Sequence, residues 1–264
     1  MLARFNFALL RGCIIAAFVL FFSALIEQGG SAEGDLFYLV FGLAAGLLVF
    51  IEYSFETPSV TEFRFAPPYN RLRLIIAFVV AFFLSLGAFE NVLPGFQHSA
   101  ILPNSSFDAL PSPIYFIKEG LALDAGVPNE WLFEAIASAA FFGAILTLIA
   151  AAVLWISIWP LRPQGFNLWE NMPNFHTRSG FKASDQLMAD AIFNFAFFLV
   201  LPYSIAFIGY LMREYLSFDF ASSPILTFWF LFLFITVPLF ALFKALALVK
   251  ICILAEKLRK SNHV

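Results

Sequence analysis

The residues with the clearest potential for chemistry are one acid and one base at matching ends of two long apolar segments. Asp190 directly precedes the 21 uncharged residues 191–211, and Lys244 directly follows the 19 uncharged residues 225–243. If the two runs form a hairpin that turns near Phe218, both charges reach a similar depth. Ionisable groups inside a membrane are costly and usually functional, so a buried ion pair or relay is one interpretation. The other interpretation, which we favour, places Lys244 at the headgroups and Asp190 in the favourable first turns of its helix, because the uncharged runs already span a bilayer.

Proline and polar residues interrupt the same two segments. Pro202 lies near the middle of the first and Pro238 in the second half of the other, with Asn194 and Tyr203 nearby. Together with Asp190 and Lys244 they define a possible intramembrane polar site. Broken helices can expose backbone groups to a substrate, which would suit a small-solute transporter or channel. Proline is also ordinary in membrane helices, and no acidic residue lies near the midplane to bind an ion.

Composition shows what must position these residues. The chain has 264 residues, of which 61% are hydrophobic and only 12% charged. About 20 helical residues cross the roughly 30 Å hydrocarbon core, and a crossing segment must satisfy its own backbone as a helix. The sequence therefore predicts an all-α, polytopic integral membrane protein, a single bundle of six transmembrane helices. The predicted spans are 5–26, 36–51, 74–89, 132–159, 188–211 and 225–249, with an extracytoplasmic loop at 90–131 and cytoplasmic loops at 52–73 and 160–186.

The basic residues predict the orientation. In the six-span arrangement, 13 of the 15 Lys and Arg residues fall on one side, and only Lys118 and Arg213 fall on the other. By the positive-inside rule, both termini are cytoplasmic. The pattern fits a bacterial inner membrane best.

Small residues mark two helix faces for close packing. Gly42 and Gly46 in the second span have the spacing that lets another helix approach, either within this chain or in a dimer. The fourth span carries small residues at strict four-residue intervals, which predicts a narrow packing stripe and a central place in the bundle. This stripe consists of Ala135, Ala139, Gly143, Thr147 and Ala151.

Missing motifs restrict the function. All three histidines lie outside the spans, and the chain has no glycine-rich phosphate loop, no Gly-x-Ser-x-Gly elbow and no His-Glu-x-x-His motif. Cys13 and Cys252 do not form a ligand-spaced set. We therefore expect no catalytic, cofactor or metal site, and no enzymatic activity. The net charge of -3 gives no support for a nucleic-acid partner.

The leading functional hypothesis is an accessory, structural or assembly subunit of a larger membrane complex, and the alternative is the transporter or channel above. The expected partners are the lipid bilayer and another membrane protein or a second copy of the chain. The two cytoplasmic loops mix aromatic and basic residues, which suits either a docking surface or segments that lie at the headgroups.

Overall fold

The computed structural model describes residues 2–26, 32–54, 63, 66–92, 130–157, 159–160, 182–216 and 224–261. Within these residues the chain is all-helical, as predicted. The six helices are α1 (Leu2–Ile26), α2 (Ala32–Ser54), α3 (Pro67–Val92), α4 (Glu130–Ile156), α5 (Ala183–Leu216) and α6 (Pro224–Ser261). Five are long and apolar enough to cross a membrane, and α2 contributes the shorter apolar segment Tyr38–Ser54. The protein is a helical membrane bundle.

The helices alternate in direction along the chain. The side chain of Trp229 in α6 meets Ser23 near the end of α1, while Ser184 at the start of α5 meets Cys252 near the end of α6. Tyr69 at the start of α3 meets Phe243 in the second half of α6, and Leu154 at the end of α4 meets Lys250 in the same half of α6. Helices α1, α3 and α5 therefore run antiparallel to α6, and α4 runs parallel to it. The start of α1 and the end of α6 lie at the same end of the bundle, which is the predicted cytoplasmic end.

Helix α6 is at the centre. It contacts α5, α4, α3 and α1, and 72% of its most apolar stretch is buried, against 33% for α4 and 17% for α5. The prediction that the fourth span is central is therefore wrong. The physical reason is that α4 has a packing stripe on one side only, with Leu148 and Ile149 exposed on the other. Helix α6 is apolar around its whole circumference, as expected of a buried helix.

Helices α1 and α2 pack through glycine on both sides. A Cβ atom built on Gly46 would lie 2.7 Å from the carbonyl oxygen of Gly12 and 2.7 Å from the Cβ of Ala16. A Cβ on Gly42 would lie 2.7 Å from the side chain of Leu20. Of the two alternatives for Gly42 and Gly46, the structure thus places both in an intramolecular contact. Since lipid does not drive apolar helices together, such close backbone approach is a principal source of association.

The small-residue stripe of α4 faces α3 and α6. All five of its residues are buried, and a Cβ on Gly143 would lie 2.8 Å from Leu239 of α6 and 2.9 Å from Val80 of α3. The Thr147 hydroxyl donates to the Gly143 carbonyl at 2.7 Å, so this polar group is satisfied within its own helix. The stripe allows two helices to approach α4 at the same level.

Helix α4 ends three residues before the predicted span does. The helix stops at Ile156, and Trp159 and Pro160 form a turn. Proline disfavours helical conformation in the residue before it, which accounts for the early end. The hydrophobicity of Trp159 places it inside the predicted span, but its indole lies at the predicted cytoplasmic end of the bundle, beside Phe63 and Tyr69.

The glycine contacts predict that Gly46→Ala destabilises the protein more than Gly42→Ala. The new methyl group at position 46 meets a backbone oxygen, which cannot move without shifting α1, whereas at position 42 it meets the branched end of a leucine. We expect Gly46→Ala to cost about 1–3 kcal/mol, the usual range for overpacking. Thermal unfolding in detergent, followed by tryptophan fluorescence, measures the difference. Equal melting temperatures for the two variants would contradict the close contact of Gly46 with the α1 backbone.

Candidate functional site

The polar residues predicted to form an intramembrane site do not converge in the structure. The Asn194 amide donates to the Asp190 carbonyl at 2.7 Å, one turn back on α5. Tyr203 is 44% exposed on the outside of α5, while Pro202 is half-buried and Pro238 is buried in α6. These groups therefore point to different surroundings. The transporter alternative stays a prediction.

Asp190 and Lys244 reach similar depth without being brought into one buried site. Ser184 of α5 contacts Cys252 of α6, and the two helices are antiparallel. Asp190 lies six residues after Ser184 and Leu246 lies six residues before Cys252, so Asp190 and Leu246 are at the same depth. Lys244 is two residues from Leu246. Asp190 is exposed and Lys244 is half-buried. The interpretation in which both charges lie near the membrane boundary stays a prediction.

The most constrained charged group is instead Lys250 of α6, which is 8% exposed. Its ammonium donates to the carbonyl of Leu154 at 2.6 Å and to the carbonyl of Ser157 at 2.9 Å. These carbonyls belong to the C-terminal end of α4, where backbone oxygens lack helical partners and the helix dipole favours a cation. Lys250 thus caps α4 from a different helix.

A second bond joins the same two helices at this level. The indole N–H of Trp155 donates to the Leu246 carbonyl of α6 at 3.1 Å. The two helices therefore exchange bonds in both directions, a side chain of each reaching the backbone of the other. Since the pair also runs parallel, these bonds fix the axial register of α4 on α6.

Four buried aromatic rings surround the capped end of α4. Tyr69 of α3 stacks on Phe243 of α6 with ring centroids 4.7 Å apart and an interplanar angle of 5°. Phe63 lies 4.6 Å from Tyr69, and Trp159 lies 6.1 Å from Phe63. We call these four residues the cytoplasmic aromatic cluster. It joins Phe63, from the predicted loop 52–73, and Trp159, from the end of the predicted fourth span, to helices α3 and α6.

A local turn holds Phe63 in this cluster. Phe63 has a positive φ of 58°, and its carbonyl accepts from the Asn70 side chain at 2.9 Å and from the Ala66 amide at 3.0 Å. Such a backbone is uncommon for a bulky residue and persists only when its surroundings enforce it. The predicted loop 52–73 is packed into the protein at Phe63. Residues 55–62 and 64–65 of this loop, and residues 161–181 of the predicted loop 160–186, lie outside the described part of the chain.

Sequence reasoning missed the role of Lys250, although a signal was present. The sequence pattern groups Lys250 only with the basic residues of the cytoplasmic side. It follows Leu239, Phe243 and Ala247 at helical spacing, and these residues form the most buried stripe of α6. A lysine in register with such a stripe is a better candidate for a buried cap than Lys244, which lies outside it. The contact with Leu154, however, requires the parallel pairing of α4 and α6, which sequence does not specify.

The contacts at this end of the bundle hold α3, α4 and α6 together. The Lys250 ammonium and the Trp155 indole donate to backbone carbonyls of the neighbouring helix, and aromatic rings pack beside these bonds. In the described part of the chain, no group of three or more His, Cys, Asp or Glu residues could hold a metal ion. The hydroxyl of Ser138, in the first half of α4, is the one buried side-chain polar atom among the described residues without a hydrogen-bond partner.

Comparisons with known proteins add no relative, since no family model, no curated protein and no solved structure matches the chain.

The cap predicts that Lys250→Met lowers stability while Lys257→Met does not. Methionine fills a similar volume but removes the donor to the Ser157 carbonyl and one of two donors to the Leu154 carbonyl, which also accepts from the Ser157 hydroxyl at 2.6 Å. We expect a cost of about 2 kcal/mol. Lys257 is exposed on the same helix, so its replacement should change stability by less than about 0.5 kcal/mol. Denaturant unfolding in detergent micelles measures both values. If both variants unfold together with the wild type, the lysine cap contributes nothing to stability.

Proposed function

We propose that the protein is an accessory or assembly subunit that docks another membrane protein through the outer face of α5. This face comprises the exposed residues on the side of α5 that faces away from α6. Along one stripe at helical spacing it presents Ile192, Ala196, Leu199, Tyr203, Phe207 and Tyr210. No catalytic step is part of this proposal.

The observation that carries the proposal is a contrast between the two peripheral helices. Helix α2 is held mainly by α1 and α5 mainly by α6, so each exposes a broad apolar face. The face of α2 is largely aliphatic, with exposed Leu39, Leu43, Leu47 and Leu48. Such a surface suits lipid chains and needs no other explanation.

The face of α5 differs in its chemistry. Phe207 and Tyr210 stack with centroids 6.4 Å apart, and Phe193 and Phe197 stack with centroids 6.0 Å apart on an adjoining side. Large aromatic rings on a helix offer rigid contact area at low entropic cost and are enriched at protein interfaces. A tyrosine also brings a hydroxyl that a partner helix can bond within the membrane.

A leucine substitution of the aromatic stripe tests the proposal. Tyr203→Leu, Phe207→Leu and Tyr210→Leu together keep the face apolar, so membrane insertion and folding should persist. We expect recovery of a stoichiometric membrane partner to fall about tenfold, as expected when interface hot spots are lost. Affinity purification in mild detergent, with the tag after Val264 and quantitative mass spectrometry, gives the measurement.

The matched control is Leu39→Ala, Leu43→Ala and Leu47→Ala on α2, which should leave partner recovery unchanged. A photoreactive phenylalanine at position 207 should crosslink the same partner in native membranes, and one at position 47 should not. Recovery of the wild-type protein only as a monomer, with no adduct from position 207, would refute docking. Transport would then be the hypothesis to test, by solute flux into vesicles with the Asn194→Ala variant.

The proposed location is a bacterial inner membrane with both termini in the cytoplasm. It is supported by the concentration of basic residues at one end of the bundle. A fusion of alkaline phosphatase after Val264 should be inactive, and a fusion of green fluorescent protein at the same position should fluoresce. The opposite pair of results would invert the orientation.

A further inference from the structure

The guanidinium of Arg73 lies over two aromatic rings, one on α6 and one on its own helix α3. Its Cζ atom is 4.6 Å from the centroid of Phe240 and 5.7 Å from that of Tyr69. Within the described residues Arg73 has no hydrogen bond and no ion pair. A guanidinium has five N–H donors in a planar fork, and contact with rings satisfies none of them. The donors of this group are therefore available to an external acceptor.

The position of Arg73 indicates which acceptor. Phe240 lies sixteen residues after Pro224, so at 1.5 Å per residue it is about 24 Å from the start of α6. The hydrocarbon core is about 30 Å thick, which places Arg73 near the inner boundary of the core. At that boundary the acceptors a guanidinium meets are lipid phosphates, and the fork geometry of Arg matches a phosphate in a bidentate manner.

The site is preorganised by the cytoplasmic aromatic cluster. Tyr69 is 1% exposed and stacks on Phe243, so the ring beneath Arg73 cannot turn away. Arg73 follows Tyr69 by one helical turn and thus stays over that ring. A cation with restricted motion loses less entropy when it binds an anion.

A second cation lies on the same side of α6. Lys244 follows Phe240 by one turn and is half-buried. Basic pockets between transmembrane helices on the cytoplasmic side are suited to anionic lipid headgroups. Two cations favour a headgroup with net negative charge over a zwitterionic one, whose own cation they would repel.

We propose that Arg73, supported by Lys244, binds the phosphate of an anionic phospholipid in the inner leaflet, at the edge of the α3–α6 contact. This site does not depend on the docking of α5, which lies on another side of α6.

The test is a titration of delipidated full-length protein in mild detergent with phosphatidylglycerol, phosphatidylcholine or soluble glycerol phosphate. A ligand that binds the folded state raises the melting temperature, from which an apparent Kd follows. We expect the wild type to prefer phosphatidylglycerol to phosphatidylcholine. Arg73→Gln should weaken phosphatidylglycerol binding about five- to tenfold. Lys257→Gln, which removes the same charge from the same end of the bundle, should retain wild-type affinity.

Two further variants keep the result decisive if Arg73→Gln does not fold. Arg73→Lys retains a charge that can remain over the rings and should lose no more than about threefold. Lys244→Gln should weaken binding about threefold, again with Lys257→Gln unchanged. Equal losses in the Lys244 and Lys257 variants, or full affinity in Arg73→Gln, would overturn the site. An equal response to glycerol phosphate would replace the lipid with a free phosphate and overturn the assignment to a lipid.

Discussion

The structure depends on the constraint that lipid gives apolar helices no reason to associate. In water, the burial of Phe, Leu and Ile would itself drive the bundle together, but in a bilayer those side chains are equally well surrounded by lipid. Association must come from close packing and from polar groups that find partners only between helices. Gly46 supplies the first between α1 and α2, and Lys250 supplies the second between α4 and α6. The hydrogen bond of Trp229 to Ser23 does the same for α1 and α6.

The Lys250 contact removes two unfavourable free-energy terms at once. A lysine buried in an apolar surrounding needs acceptors, and the end of α4 has carbonyls that need donors. Either group alone would be unfavourable at this position, and each satisfies the other. The aromatic cluster then closes the space around them, which links the ends of α3, α4 and α6 to the residues Phe63 and Trp159. The polar contact and the cluster therefore form one unit at one end of the bundle.

Helix number and class follow from sequence because they depend on segment length and apolarity, which each segment carries by itself. The faces marked by Gly42, Gly46 and Gly143 also follow, since small residues at helical spacing define a side of a helix. Sequence does not specify which helix packs on each stripe. Gly46 packs on α1, and Gly143 packs on α3 and α6. For the same reason the sequence does not predict the cap, because Lys250 reaches the end of α4 only when α4 lies parallel to α6. The matching positions of Asp190 and Lys244 at the ends of two apolar segments predict a similar depth, yet a similar depth alone does not bring two side chains into contact.

The exposed residues of the peripheral helices bear on what surrounds the protein, whereas the buried core residues do not. Core residues of α6 are explained by the helices around them, so their identity says little about what else the protein contacts. Helices α2 and α5 are both peripheral and experience the same bilayer, and lipid contact alone would favour no difference between their exposed faces. One face is nevertheless largely aliphatic and the other is rich in stacked rings and tyrosines. The proposed docking through α5 rests on this difference in composition between two helices in the same bilayer.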